Sequence, residues 1–143
     1  VQYLPMDELL KTCDMLSLHV PVTEETTGMC DREFFAKCRK GSYFVNTSRG
    51  ELVDDDALRE ALENGTIVMA GLDTLDHEPV QKSHPMLSWP EETKEKILFS
   101  PHIGGITGSS FGRGYAMIWE DIEKISRGEA PGHIVNQKEL NRE

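Results

Sequence analysis

The chain is predicted to fold as an α/β protein with a doubly wound, mostly parallel sheet, and three observations predict it. Short apolar runs alternate with amphipathic segments from one end of the chain to the other, the pattern of repeated βα units. The runs are continuously apolar rather than alternating, as expected of strands buried on both faces. Two of them stop at a proline, Pro21 and Pro101, which cannot donate to a central ladder.

In chain order, a helix is expected from about Pro5 to Cys13, with Leu9, Leu10 and Cys13 on one side. The run Met15–Val20 is the first strand. A second helix opens at Asp31, a good N-cap, and buries Phe34, Phe35 and Cys38. The second strand is Ser42–Thr47, rich in aromatic and β-branched residues after Gly41. The third helix opens at Asp54-Asp55-Asp56 and closes at Asn64-Gly65, with acids at the positive end of the helix dipole and glycine for a left-handed exit. The third strand spans Thr66–Asp73 and the fourth Lys96–Ser100. Residues 77 to 95, with three prolines, are expected to form an irregular excursion. The last helix runs from about Ser109 to Arg127, with Tyr115, Ile118, Trp119, Ile122 and Ile125 along one stripe.

Composition bounds the function. The 143 residues are 38% hydrophobic and 28% charged, with 25 acidic residues against 15 basic and a net charge of −10. That balance argues against nucleic acid, whose phosphates call for clustered Lys and Arg. No run approaches the roughly 18 apolar residues of a membrane span, so no membrane partner is expected. Cys13, Cys30 and Cys38 are odd in number and lack a CxxC spacing, so packing roles in helical stretches and a reducing cytoplasm are expected.

In doubly wound sheets, ligands bind beyond the carboxyl ends of the strands. Those ends hold Arg49, Asp73, Glu78 and His102. Arg49 can grip a carboxylate with two parallel hydrogen bonds, or pair with a surface acid. His102 beside a carboxylate suits acid/base work near neutral pH, or satisfies a loop. One His with two acids is a thin ligand set, and no metal is expected. Gly112-Arg113-Gly114 imitates the opening of a dinucleotide fingerprint, but Met117 holds the third glycine's place and no strand precedes it, so it is a decoy. Gly104-Gly105 lets backbone pass close to a ligand.

The pieces Asp14–Pro21, Thr23–Gly28, Asn46–Asp54, Gly71–Asp73 with Glu78-Pro79, Ser100–Gly105 and Val135-Asn136 together resemble the D-isomer-specific 2-hydroxyacid dehydrogenases. The resemblance implies a Rossmann-like NAD-binding domain of which only the second half is present: residues 1–128 with the long helix, and 129–143 as a return segment toward a substrate domain. The family's glycine fingerprint and acidic ribose-binding residue would precede Val1, so NADP stays open beside NAD. By resemblance, Arg49 holds the substrate carboxylate and polarises its keto oxygen, His102 is the acid/base, and Glu78 pairs with His102. Asp73 hydrogen-bonds the nicotinamide carboxamide, while Val20, Pro21, Thr26, Thr47, Ser48 and Gly105 line the cofactor, alongside Arg49 and His102. Glu91–Lys96 reads as an insertion in a surface loop. The substrate implied is a small 2-hydroxy or 2-keto acid, and a homo-oligomer is expected. A non-catalytic NAD(H)-binding or oligomerisation module is the alternative.

Overall fold

The structure is a computed structural model that describes residues 1–136. The chain forms two compact units, Val1–His102 and Ile103–Glu143. The expected return segment 129–143 runs past residue 136, so its last residues lie outside the described ones.

The first unit contains α1 (Met6–Thr12), β1 (Met15–Leu18), α2 (Arg32–Lys37), β2 (Ser42–Asn46), a 3-10 turn at Gly50–Leu52, α3 (Asp55–Glu63), β3 (Ile67–Leu72), a second 3-10 turn at Pro85–Ser88, α4 (Glu91–Lys94) and β4 (Ile97–Phe99). The four strands pair in parallel in the order β1-β2-β3-β4. All four carboxyl ends therefore emerge on the same edge.

The expected helix starts hold. Asp31 caps α2 by accepting from Phe34 N, and Asp54 caps α3 by accepting from Ala57 N. Each supplies an acceptor to an otherwise orphaned helix N–H. Gly65, at φ 74°, takes the left-handed exit after α3. Leu16, Leu18, Phe44, Ile67, Ala70 and Leu72 of the sheet join Leu10, Phe34, Phe35, Leu58 and Leu62 of α1 to α3 in one core. Phe35 meets Phe44 edge to face, with ring centroids 5.3 Å apart, a favoured aromatic geometry.

The continuous runs suggested strands buried on both faces, yet among the described residues one face is left open. Met15, Tyr43, Met69 and Leu98, at alternate positions to the buried set, are 44 to 71% exposed. The reason is the strand period of two: α1, α2 and α3 all contribute to the core on a single face.

Residues 77 to 95 are more ordered than expected. They hold the second 3-10 turn and α4, with Met86, Trp89 and Thr93 buried. His84 is buried as well, its Nε2 3.7 Å from Asp55 Oδ2. Burial pushes the Asp55 carboxyl up, His84 counters it, and Asp76, Asp54 and Asp56 add to the rise. Lys96 Nζ donates to Leu62 O at 2.7 Å. The stretch read as a surface insertion is thus tied to α3 by buried Thr93 and by Lys96.

The cysteines are free. Burial, with smaller help from Cys38 and Asp31, pushes the Cys30 thiol up to about 12, and burial takes Cys38 to about 11. They behave as the packing residues expected. Cys30 is not helical, however: it bridges to Val53, which ties the loop before α2 to the segment after β2.

In the second unit, α5 spans Gly108–Ser126 and opens with a capping box between Thr107 and Ser110. Gly112-Arg113-Gly114 lies inside this helix, so it offers no turn for a pyrophosphate. Tyr115, Ile118, Trp119, Ile122 and Ile125 are all exposed. Asp121 accepts from Gly132 N at 2.7 Å and faces His133 Nδ1 at 3.0 Å.

Candidate active site

The turn after β2 is organised by Asn46, the first residue of the Asn46–Asp54 piece. Asn46, 1% exposed, donates from Nδ2 to Arg49 O at 2.7 Å and accepts from Ser48 N at 3.0 Å. A buried Asn followed by Thr-Ser at a strand end is the available signal, because Asn side chains close such turns on their own backbone. Ser48 Oγ donates to Leu18 O at 3.0 Å, tying the ends of β1 and β2 together. Arg49 projects from this turn. Its Nη1 donates to Ser48 O at 2.7 Å, and none of the described acids forms an ion pair with it. Among the described residues the surface-pair alternative lacks a partner, which leaves the guanidinium open to an anion.

Gly50 fixes how close this turn sits to the next. A Cβ on Gly50 would lie 1.9 Å from Leu75 C and 2.0 Å from Asp76 N. Only glycine lets the Arg49 turn touch the segment that leads to Glu78.

Beyond β3 and β4, Asp73 N donates to Asn46 O at 2.9 Å. Asp73 Oδ1 accepts from the Ser100 hydroxyl and from His102 N. His102 sits in the left-handed region, at φ 52°. Its Nδ1 lies 2.7 Å from Glu78 Oε2, and Glu78 Oε1 accepts from Leu75 N at 2.9 Å. A carboxylate only accepts, so His102 Nδ1 carries the proton and Nε2, with no partner among the described residues, is the nitrogen left for chemistry. Partial burial pushes the Glu78 carboxyl up. The hydrogen bonds from His102 and Leu75 N, with the charges of His102 and Arg49, outweigh it and hold Glu78 below the usual carboxylate range.

Two cavities meet at Arg49. One, of about 540 Å³, is lined by Arg49, Thr74, His77, Glu78 and His102 among others. The second, of about 630 Å³, lies past the ends of β1 and β2 against Val20, Pro21, Thr47, Ser48 and Arg49. His19, Val22 and Glu51 also line it and were not singled out from the sequence. Asp73 is not among the residues lining either cavity; its second carboxylate oxygen has no partner among the described residues and is an acceptor suited to an amide. These residues fit the nicotinamide end of a dinucleotide. Thr26 lines neither cavity: its hydroxyl donates to Pro21 O at 2.7 Å and accepts from Thr23 N at 2.8 Å, which shapes the loop behind Pro21. Gly105 belongs to the second unit, where its carbonyl accepts from Ser110 Oγ.

Comparison with known proteins identifies the family of the chain. Residues 1–104 match the D-isomer specific 2-hydroxyacid dehydrogenase, NAD binding domain. A glyoxylate reductase from Korarchaeum cryptofilum is 38% identical over 96% of this chain and 40% of its own length. A D-3-phosphoglycerate dehydrogenase from Methanocaldococcus jannaschii is 36% identical over 96% of this chain and 25% of its own. Among solved structures, an NAD complex of a D-isomer specific 2-hydroxyacid dehydrogenase from Lactobacillus delbrueckii superposes with a TM-score of 0.79 at 32% identity, over 94% of this chain and 43% of that one. The chain thus spans about 40% of the length of the glyoxylate reductase and of that structure.

Proposed function

Because the chain belongs to the D-isomer specific 2-hydroxyacid dehydrogenase family and carries part of its NAD-binding domain, we propose that it supplies the acid/base and anion-binding residues of an NAD-dependent oxidoreductase interconverting a D-2-hydroxy acid and a 2-keto acid. The observation that carries this reading is the His102–Glu78 hydrogen bond of 2.7 Å on the same cavity as Arg49, which has no acidic partner among the described residues.

The roles follow from the chemistry of each group. The cofactor, when bound, exchanges a hydride with the substrate carbon. Arg49 binds the substrate carboxylate through its planar fork, which also orients the neighbouring carbonyl. In keto-acid reduction, protonated His102 gives the Nε2 proton to the carbonyl oxygen. In hydroxy-acid oxidation, neutral His102 takes the hydroxyl proton at the same atom. Glu78 holds Nδ1–H, which fixes the tautomer and favours the imidazolium. Asp73 offers its open oxygen to the carboxamide, and Val20, Pro21, Thr47 and Ser48 form a wall of the cofactor cavity. Thr26 supports that wall through Pro21. In the same reading, the isolated 143-residue chain does not turn over substrate, and the exposed row from Tyr115 to Ile125 favours a homo-oligomer.

The test is a chimaera in which this segment replaces the matching 40% of the Korarchaeum glyoxylate reductase. It should oxidise NADH with a 2-keto acid, and Arg49→Lys should lower kcat/KM for the keto acid while NADH affinity holds, because lysine lacks the fork. A folded chimaera that binds NADH but consumes no 2-keto acid would favour the non-catalytic module instead.

A further inference from the structure

We propose that Ser100 is a positioning residue for His102, acting through Asp73. The role rests on the reading of His102 as the acid/base, and it gives Ser100 a task beyond ending a strand.

Three bonds converge on the point where β4 gives way to His102. Ser100 N donates to Leu72 O at 3.0 Å, continuing the ladder one residue past Phe99. The Ser100 hydroxyl donates to Asp73 Oδ1, and the same oxygen accepts from His102 N at 3.2 Å. Asp73 is itself mounted on the sheet, through its N–H to Asn46 O at 2.9 Å. Pro101, between Ser100 and His102, has no N–H to add. One carboxylate oxygen, oriented by a hydroxyl, thus holds the backbone of His102.

The hold matters because of the conformation it holds. His102 is a non-glycine residue at φ 52°, a state that persists where the surroundings determine it. That conformation places Nδ1 2.7 Å from Glu78 Oε2. Without the Ser100 hydroxyl, the Asp73 carboxylate loses one of the two donors on Oδ1 and can turn about its own side-chain axis. The His102 N–H then loses its acceptor, the backbone relaxes toward ordinary φ, and the ring draws away from Glu78. Asp73 therefore divides its oxygens: Oδ1 serves His102, while the other has no partner among the described residues.

Two substitutions of nearly equal shape isolate the hydroxyl: Ser100→Thr keeps it and Ser100→Val removes it, and both side chains suit a strand end. The readouts, by NMR on the chain itself, are the Glu78 carboxylate titration and the hydrogen-bonded His102 Nδ1–H signal. Ser100→Thr should match the parent in both. Ser100→Val should shift the Glu78 midpoint upward, toward the usual carboxylate range, and lose the Nδ1–H signal. If the Thr and Val variants behave alike, the hydroxyl has no positioning role and the proposal is overturned. Neither readout involves turnover, so that failure would leave the dehydrogenase reading standing.

Discussion

The buried face of the sheet and its carboxyl edge use the same four strands in opposite ways. At the face, Phe44 and Ile67 of the sheet and Leu58 and Leu62 of α3 are fully buried, with side chains that carry no polar atoms. On the edge, Arg49, Glu78 and His102 are partly or largely exposed, and a hydrogen bond joins Glu78 to His102. The face draws its stability from apolar area removed from water. Exposed ion pairs at the edge contribute at most about 1 kcal/mol each. Removing a side chain from the face should therefore cost stability, while removing one from the edge should cost chemistry.

Phe44→Ala is the strongest way to sharpen that contrast. It empties the centre of the core, where Phe44 is 0% exposed and packed on Phe35. We expect a loss of about 3–5 kcal/mol, read by urea denaturation of the chain. A loss under about 1 kcal/mol would mean the face is not packed as described.

Gly50→Ala breaks the contrast, because Gly50 belongs to both regions. Its Cβ would strike the backbone of Leu75 and Asp76, so main chain must move rather than a side chain. A stability cost of about 1–3 kcal/mol is expected. The displacement should also part the Arg49 turn from the Glu78 segment, and keto-acid turnover by the chimaera should fall more than the stability loss explains. Parent-like turnover would show that the close approach does not matter to the site.

The smallest expected effect is a pH dependence at the edge. Glu78 is held below its ordinary range by the groups around it despite partial burial. A depressed carboxylate adds stability that is present above the unfolded-state pKa and lost as pH falls through the folded-state value. Glu78→Gln should therefore destabilise the chain slightly at neutral pH and leave it indistinguishable from the parent once Glu78 is protonated. Denaturation midpoints at pH 7 and in the acid range read the difference, and a gap that widens on acidification would reverse the sign.

The sequence carries the local half of this picture well. The four apolar runs and the Asp31 and Asp54 caps depend on neighbours in the chain, and the structure agrees to within a residue or two. Arg49, Glu78 and His102 were legible because strand ends in this topology converge. What depends on distant partners was not. The open face of Met15, Tyr43 and Met69 follows from where the helices pack, not from the runs themselves. The Cys30 bridge to Val53 and the burial of Thr93 come from long-range pairing. Gly50 meets the backbone of Leu75 and Asp76, and Ser100 meets the Asp73 carboxylate, both far along the chain, and no spacing in the sequence marks such contacts.

On the reading proposed above, chemistry resides on the edge and stability in the face. His102→Ala in the chimaera tests it most directly, with turnover and unfolding measured on one preparation. We predict a fall in keto-acid turnover of roughly 10²–10⁴-fold with NADH still bound and a stability change within about 0.5 kcal/mol. Near-parent turnover would contradict the account.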